Sequence, residues 1–287
     1  MDIQSSTIIP VLHLAEGSNQ ATVLRLDPPP ASLNDACMRL PGGAYTTLRT
    51  YETCKVLRLE DHFQRLETSA RLSGTEIHLH RDILRRALRQ LVDQEPLSKD
   101  YRIRVILDLE QSPGDVYLVR GSLQVPSPES YEQGVSVIVT SLGRNLPTAK
   151  LTKFLETAAA VELPRGINEA LMVNPEGRIL EGLSSNFYAV ISDVIWTAGE
   201  GVLEGITRRL VLEEARADGM KIHFEPASVS DIPRMQEAFI SSTSRAVLPV
   251  NHIDGQPIGK GEAGPVARRL LKLYQARLGQ ELEELSI

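Results

Sequence analysis

The stretch that most constrains this chain is Val125-Pro126-Ser127-Pro128-Glu129-Ser130. Two prolines in a polar run interrupt helix and sheet alike. The 287 residues are therefore expected to divide into an N-terminal domain over 1–125, a linker over 126–130 and a C-terminal domain over 131–287. Each part has the size of an independent domain, and an apolar content of 42% is enough to fill two cores.

The residues on either side alternate between strand and helix patterns. Thr22–Leu26 reads as a strand stopped by Pro28-Pro29-Pro30, and Tyr45–Tyr51 with Lys55–Leu59 reads as a hairpin. Asp61 is placed to cap a helix, with Gln64 three residues on, Phe63, Leu66 and Ala70 as its apolar stripe, and Gly74 closing it. A second helix carries Ile83, Leu84, Ala87, Leu88, Leu91 and Val92 on one face. Arg102–Asp108 alternates as a strand and turns through Ser112-Pro113-Gly114-Asp115 into Val116–Arg120. Beyond the linker come a strand over Val135–Ser141, a hairpin across Asn174–Gly177 and a strand over Asn186–Ile191. A helix from Ile206, a strand over Ala238–Ser241 and a C-terminal helix with Val266, Leu270, Leu271 and Leu273 complete the pattern. Two α/β domains with mixed sheets fit this order.

Other classes are disfavoured. A net charge of −6 argues against a general nucleic-acid binder. Cys37 and Cys54 form no CxxC pair, so neither a disulfide scaffold nor a cysteine zinc site is expected. Met1-Asp2-Ile3-Gln4 lacks the basic start and apolar run of a secretion signal, and Asp193 interrupts the most apolar stretch, so a cytoplasmic protein with no membrane span is expected. There is no Walker A, HExxH or GxSxG sequence, and the last glycine of Gly199–Gly205 falls one residue late for a dinucleotide fingerprint. His78 and His80 would share a face if extended and could form half of a metal site, but a solvated pair is the expected reading, and no metal is expected.

Four segments carry chemistry. Lys150 and Lys153, two of only seven lysines, stand beside apolar residues; they read either as surface amines or as an amine held against an apolar wall, where it forms an imine. Glu181-Gly182-Leu183-Ser184-Ser185-Asn186 places a carboxylate at a strand end before small polar residues, either as a plain loop or as a seat for a heteroaromatic ring. Gly205-Ile206-Thr207-Arg208 opens a helix whose free N–H groups and Thr207 hydroxyl suit a phosphate, unless Thr207 is simply the cap. Ser241-Ser242-Thr243-Ser244-Arg245 repeats the theme after a strand.

Taken in order, these segments resemble the class IV aminotransferases, the fold-type IV pyridoxal-phosphate enzymes. The resemblance runs through Tyr45–Tyr51, His62-Phe63-Gln64-Arg65-Leu66, Lys150, Glu181–Phe187, Gly205–Arg208, Ser242–Arg245 and Ile253-Asp254-Gly255. It implies an α/β fold with pyridoxal 5′-phosphate in an interdomain cleft, and a homodimer. Lys150 is then the residue that links to the cofactor and moves the substrate proton. Glu181, 31 residues downstream, faces the pyridine nitrogen and keeps it protonated. Arg65, Ile206, Thr207 and Thr243 hold the phosphate, with Ser185, Asn186 and Ser242 completing the cofactor seat, and Tyr45 and Arg245 face the substrate.

The sequence departs from the family pattern in places. Thr46 stands where relatives carry a glutamate. Phe154 has no hydroxyl to offer the cofactor, and Lys153 rivals Lys150, although the interval to Glu181 favours Lys150. Arg245 reads equally as a receptor for a substrate carboxylate and as a surface or interdomain ion pair. The expected reaction is ping-pong transamination between an amino acid, aliphatic or branched-chain, and a 2-oxo acid such as 2-oxoglutarate. The alternatives are an aminodeoxychorismate lyase releasing 4-aminobenzoate and pyruvate, a D-amino-acid aminotransferase, and a non-catalytic binding relative.

Overall fold

The computed structural model describes residues 9–94 and 100–285; Met1–Gln4, read above for a secretion signal, lies outside them. The chain forms two compact units, and the division is not a single cut. The first comprises Met1–Gln124, Ala149–Ala159 and Leu282–Ile287, and the second Val125–Thr148 and Ala160–Glu281. Hydrogen bonding explains both returns to the first unit. Tyr45 N–H donates to the Lys150 carbonyl (2.8 Å), and Thr152 N–H donates to the Gly43 carbonyl (2.9 Å). Leu282–Glu284 pairs antiparallel with Lys55–Leu57. Pro128–Gln133, expected within or beside a linker, is a helix, because Ser127 accepts from Ser130 N–H and Pro128 occupies the first turn, where no amide proton is needed.

Among the described residues, the first unit holds a seven-stranded sheet in the order Leu282–Glu284, Lys55–Leu57, Gly43–Tyr51, Tyr101–Asp108, Val116–Ser122, Val11–Leu14, Thr22–Leu24. Every pairing in it is antiparallel. The two faces of strand Tyr101–Asp108 serve different cores. Ile103, Val105 and Leu107 pack with Leu66, Leu84, Leu88 and Leu91 of two helices. Ile106 joins Tyr45, Tyr117 and Cys37 on the other side.

The first of those helices, Leu59–Leu72, starts two residues before the expected Asp61 cap. Arg58 makes the turn with φ +46°, Leu59 is fully buried, and Glu60 and Asp61 lie in the first turn, where the helix dipole favours acids. Gly74, at φ +88°, ends the helix as expected. The second helix, Arg81–Val92, buries Leu84, Ala87, Leu88, Leu91 and Val92. The His78–His80 segment is not a strand, and the described residues contain no group of three or more His, Cys, Asp or Glu that could hold a metal ion.

Among the described residues, the second unit mixes parallel and antiparallel pairings in a nine-stranded sheet. Its central strands run Asn186–Ile191, Glu237–Ser242, Ala246–Ile253, Val135–Thr140, Ile167–Val173 and Ile179–Gly182. A pairing of Asn186 with Glu181 closes this path into a ring. The C-terminal helix Pro265–Glu281 buries Ala267, Leu270 and Tyr274, while the expected Val266, Leu271 and Leu273 are only half-buried. Its first turn is capped from a distance: the buried Glu237 carboxylate accepts from Val266 N–H (2.9 Å) and Ala267 N–H (3.0 Å). Among the described residues, no helix is long and apolar enough to cross a membrane.

Candidate active site

The structure gathers the predicted residues into two groups, one in each unit. In the first unit, residues 150–152 run beside strand Gly43–Tyr51, with an antiparallel bridge between Leu151 and Ala44. Gly43 N–H donates to the Thr152 hydroxyl, and Lys150 N–H donates to the Ser69 hydroxyl of helix Leu59–Leu72. Backbone bonds to strand and helix therefore fix the Lys150 backbone, and its Nζ lies 4.6 Å from the centre of the Tyr45 ring. Lys153 is different: it is exposed and opens the short helix Lys153–Ala159. Arg65 donates from Nη2 to the Thr46 hydroxyl (2.5 Å), which also bonds His62 Nδ1 (2.7 Å). Thr46, the residue that departs from the family pattern, thus anchors Arg65.

In the second unit the focus is Glu181, which is 2% exposed. Its Oε2 accepts from Asn186 Nδ2 (3.1 Å) and Leu203 N–H (3.2 Å). Asn186 Nδ2 also donates to the Leu203 carbonyl (2.8 Å), so one amide ties the carboxylate to the loop that precedes helix Ile206–Ala217. Asn186 acts here as a support for Glu181. Gly205 is the cap of that helix, and no side chain caps it. Thr207 is therefore the second helical residue, and Ile206 and Thr207 are both buried. A buried helix start without a side-chain acceptor suits an anion, and a held carboxylate suits a ring nitrogen that carries a proton. The donor set fits a phosphorylated pyridine cofactor.

A third cluster, in the second unit, joins Ser184, Ser185 and Arg245 through a residue that the sequence did not single out. Glu169, 2% exposed, accepts at Oε2 from the Ser184 hydroxyl (2.7 Å), the Ser185 hydroxyl (3.1 Å) and Arg245 Nη1 (2.9 Å). The Ser185 hydroxyl is thereby directed to Glu169. Arg245 forms an ion pair within its own unit, and its carbonyl accepts from the Tyr131 hydroxyl (2.8 Å). Ser242 ends strand Glu237–Ser242 and Thr243 follows it in the turn to Arg245, both half-buried, and Ala246, at φ +52°, begins the next strand. Arg144 also escaped notice; its Nε lies 3.3 Å from Glu181 Oε1, and Nη2 donates to the Leu183 carbonyl (3.2 Å). A glutamate at a strand start and an arginine after a strand look like surface charges, so only tertiary contact reveals them. Burial raises the Cys37 thiol above its ordinary range, and burial likewise raises the Tyr188 phenol, which bonds Ser241.

Residues 43–253 match the family model described as "Amino-transferase class IV". A branched-chain-amino-acid aminotransferase of Pseudomonas aeruginosa is 27% identical over 253 residues, covering 81% of this chain and 82% of that protein. One from Escherichia coli K12 is 26% identical over 270 residues, covering 83% and 84%. Among solved structures, a branched-chain amino acid aminotransferase with pyridoxamine 5′-phosphate superposes with a TM-score of 0.78 at 25% identity, covering 96% of this chain and 98% of that one. The match spans Tyr45, Arg65, Lys150, Glu181, Thr207 and Arg245 alike, and the chain belongs to the class IV aminotransferase family and is a transaminase.

Proposed function

We propose that this protein is a pyridoxal-phosphate-dependent aminotransferase for branched-chain or other aliphatic L-amino acids, with a 2-oxo acid as acceptor. One observation carries the cofactor: the Glu181 carboxylate, buried and fixed by Asn186 and Leu203, beside a helix start that no side chain caps. The substrate class is supported by relatives whose names specify branched-chain amino acids.

When bound, pyridoxal phosphate supplies an aldehyde and an electron-withdrawing ring. Glu181 holds a proton at the ring nitrogen, and Asn186 keeps the carboxylate oriented. The N–H groups of Ile206 and Thr207, with the hydroxyls of Thr207 and Thr243 and the Arg65 guanidinium, bind the phosphate and prevent rotation of the ring. The Lys150 amine, held near Tyr45, moves a proton to and from the substrate Cα. Arg245, steadied by Glu169, binds the substrate carboxylate. The working unit is a homodimer, for which light scattering should give twice 31.7 kDa.

The test is a two-substrate assay of the purified protein with pyridoxal phosphate. Leucine, isoleucine or valine with 2-oxoglutarate should give glutamate, with parallel lines in double-reciprocal plots. Pyruvate release from aminodeoxychorismate without an oxo-acid acceptor, or turnover of D-amino acids alone, would overturn the assignment.

A further inference from the structure

Glu181 needs more than orientation, because a buried carboxylate is unfavourable without opposite charge. The guanidinium of Arg144 stands within ion-pairing distance of it. The Arg144 side chain is 5% exposed and that of Glu181 is 3% exposed, so water screens the pair little. The division of contacts around the carboxylate is clear. Oε2 takes the Asn186 amide and the Leu203 N–H, whereas Oε1 faces Arg144 Nε at 3.3 Å.

The guanidinium is itself held. Its Nη2 donates to the carbonyl of Leu183, two residues beyond Glu181, so Arg144 grips the carboxylate and the loop that follows it. Gly182 makes the loop possible, because a Cβ there would lie 2.4 Å from the Ser185 hydroxyl and 2.9 Å from Glu169 Cγ. Arg144 also precedes Lys150 by only six residues, so a single chain segment carries the charge partner of Glu181 and the reactive amine.

We infer that Arg144 is a positioning residue for Glu181: its guanidinium keeps that carboxylate ionised and aimed at the cofactor's ring nitrogen. This rests on the reading that Glu181 serves pyridoxal phosphate. It predicts that loss of Arg144 affects the bound cofactor and the chemical step more than it affects folding or substrate capture.

The experiment compares Arg144→Gln, Arg144→Lys and Glu181→Gln with the wild type by visible spectrum, pyridoxal-phosphate titration, kcat and KM, and melting of the apoprotein. Arg144→Gln should weaken cofactor binding and lower kcat about 10–100-fold each, the scale of losing one contact to a charged group. The visible band should change while KM for the amino donor stays within about threefold, less than the ~0.7 kcal/mol that half a decade represents. Arg144→Lys should restore most of the band and of kcat. In the Glu181→Gln background, replacing Arg144 should change neither the spectrum nor cofactor affinity further.

A normal band and kcat in Arg144→Gln would overturn the inference, as would an equal additional loss in the Glu181→Gln background. If Arg144→Gln fails to fold, that background and the Lys variant still decide. A wild-type protein that binds no pyridoxal phosphate would instead overturn the cofactor reading beneath it.

Discussion

Gly205→Ala perturbs Glu181 without touching it. Gly205 has φ −66°, so alanine meets no backbone penalty there, and the effect must come from space. An added Cβ would sit 2.4 Å from Asn186 Oδ1. Ordinary contact requires about 1 Å more, so either the helix start or Asn186 has to move. Asn186 is not a loose side chain. It is 6% exposed, and its Nδ2 bonds both Glu181 (3.1 Å) and the Leu203 carbonyl (2.8 Å). A shift of that size takes the Glu181 contact beyond hydrogen-bonding range.

The overpacking costs about 1–3 kcal/mol, and the lost bond to a charged group about 1.5–3 kcal/mol. Partial relaxation brings the expected destabilisation to roughly 2–4 kcal/mol. Urea unfolding of the apoprotein measures it, and fluorescence titration should show pyridoxal-phosphate affinity falling about tenfold or more. Gly201→Ala is the control: Gly201 has φ +72° and no atom within 4 Å of the added Cβ. It should lose about 1–2 kcal/mol from backbone strain alone and keep its cofactor affinity. If Gly205→Ala matched the wild type in both measurements, the proposed linkage through Asn186 would be wrong.

Two further outcomes test the frame around the site. Glu237→Ala removes the carboxylate that caps helix Pro265–Glu281, and urea unfolding should show a loss of about 1–3 kcal/mol, with Glu237→Gln retaining part of the stability. The Arg81 guanidinium, bonding both Glu67 oxygens, holds the Glu67 carboxyl below the usual carboxylate range. Its stabilisation is therefore complete above about pH 5 and fades as pH falls through the lowered folded value, so the stability gap between wild type and Glu67→Gln, about 1 kcal/mol near pH 7, should close in acid.

Periodicity disclosed most of the elements, because each buries a face whose spacing is written in neighbouring residues. Leu84, Leu88 and Leu91 declare their helix, and Ile103, Val105 and Leu107 their strand. Long-range closure is not written that way. Nothing local indicates that Leu282–Glu284 returns to pair with Lys55–Leu57, or that residues 149–159 join the first unit. The Pro128 run does lie where the second unit begins, but it also starts a helix, because a proline is tolerated in the first turn, where no amide proton is needed.

The candidate site was legible where a motif places unusual residues side by side, as in Glu181–Asn186 and Gly205–Arg208. Thr207 shows where such reading stops, since cap and second helical residue differ by only two positions and the glycine takes the cap. Glu169 and Arg144 could not be read at all. Their importance comes from burial beside Arg245, Ser184 and Glu181, residues far away or on other strands.

The proposal that Lys150 is the residue that engages the cofactor is open to covalent trapping. The protein is loaded with pyridoxal phosphate, its visible spectrum recorded, and the complex reduced with borohydride and mapped by peptide mass spectrometry. The expected result is a visible band that reduction abolishes and a phosphopyridoxyl group on Lys150, with Lys150→Ala showing neither. A group on exposed Lys153, or no reducible band at all, would contradict it.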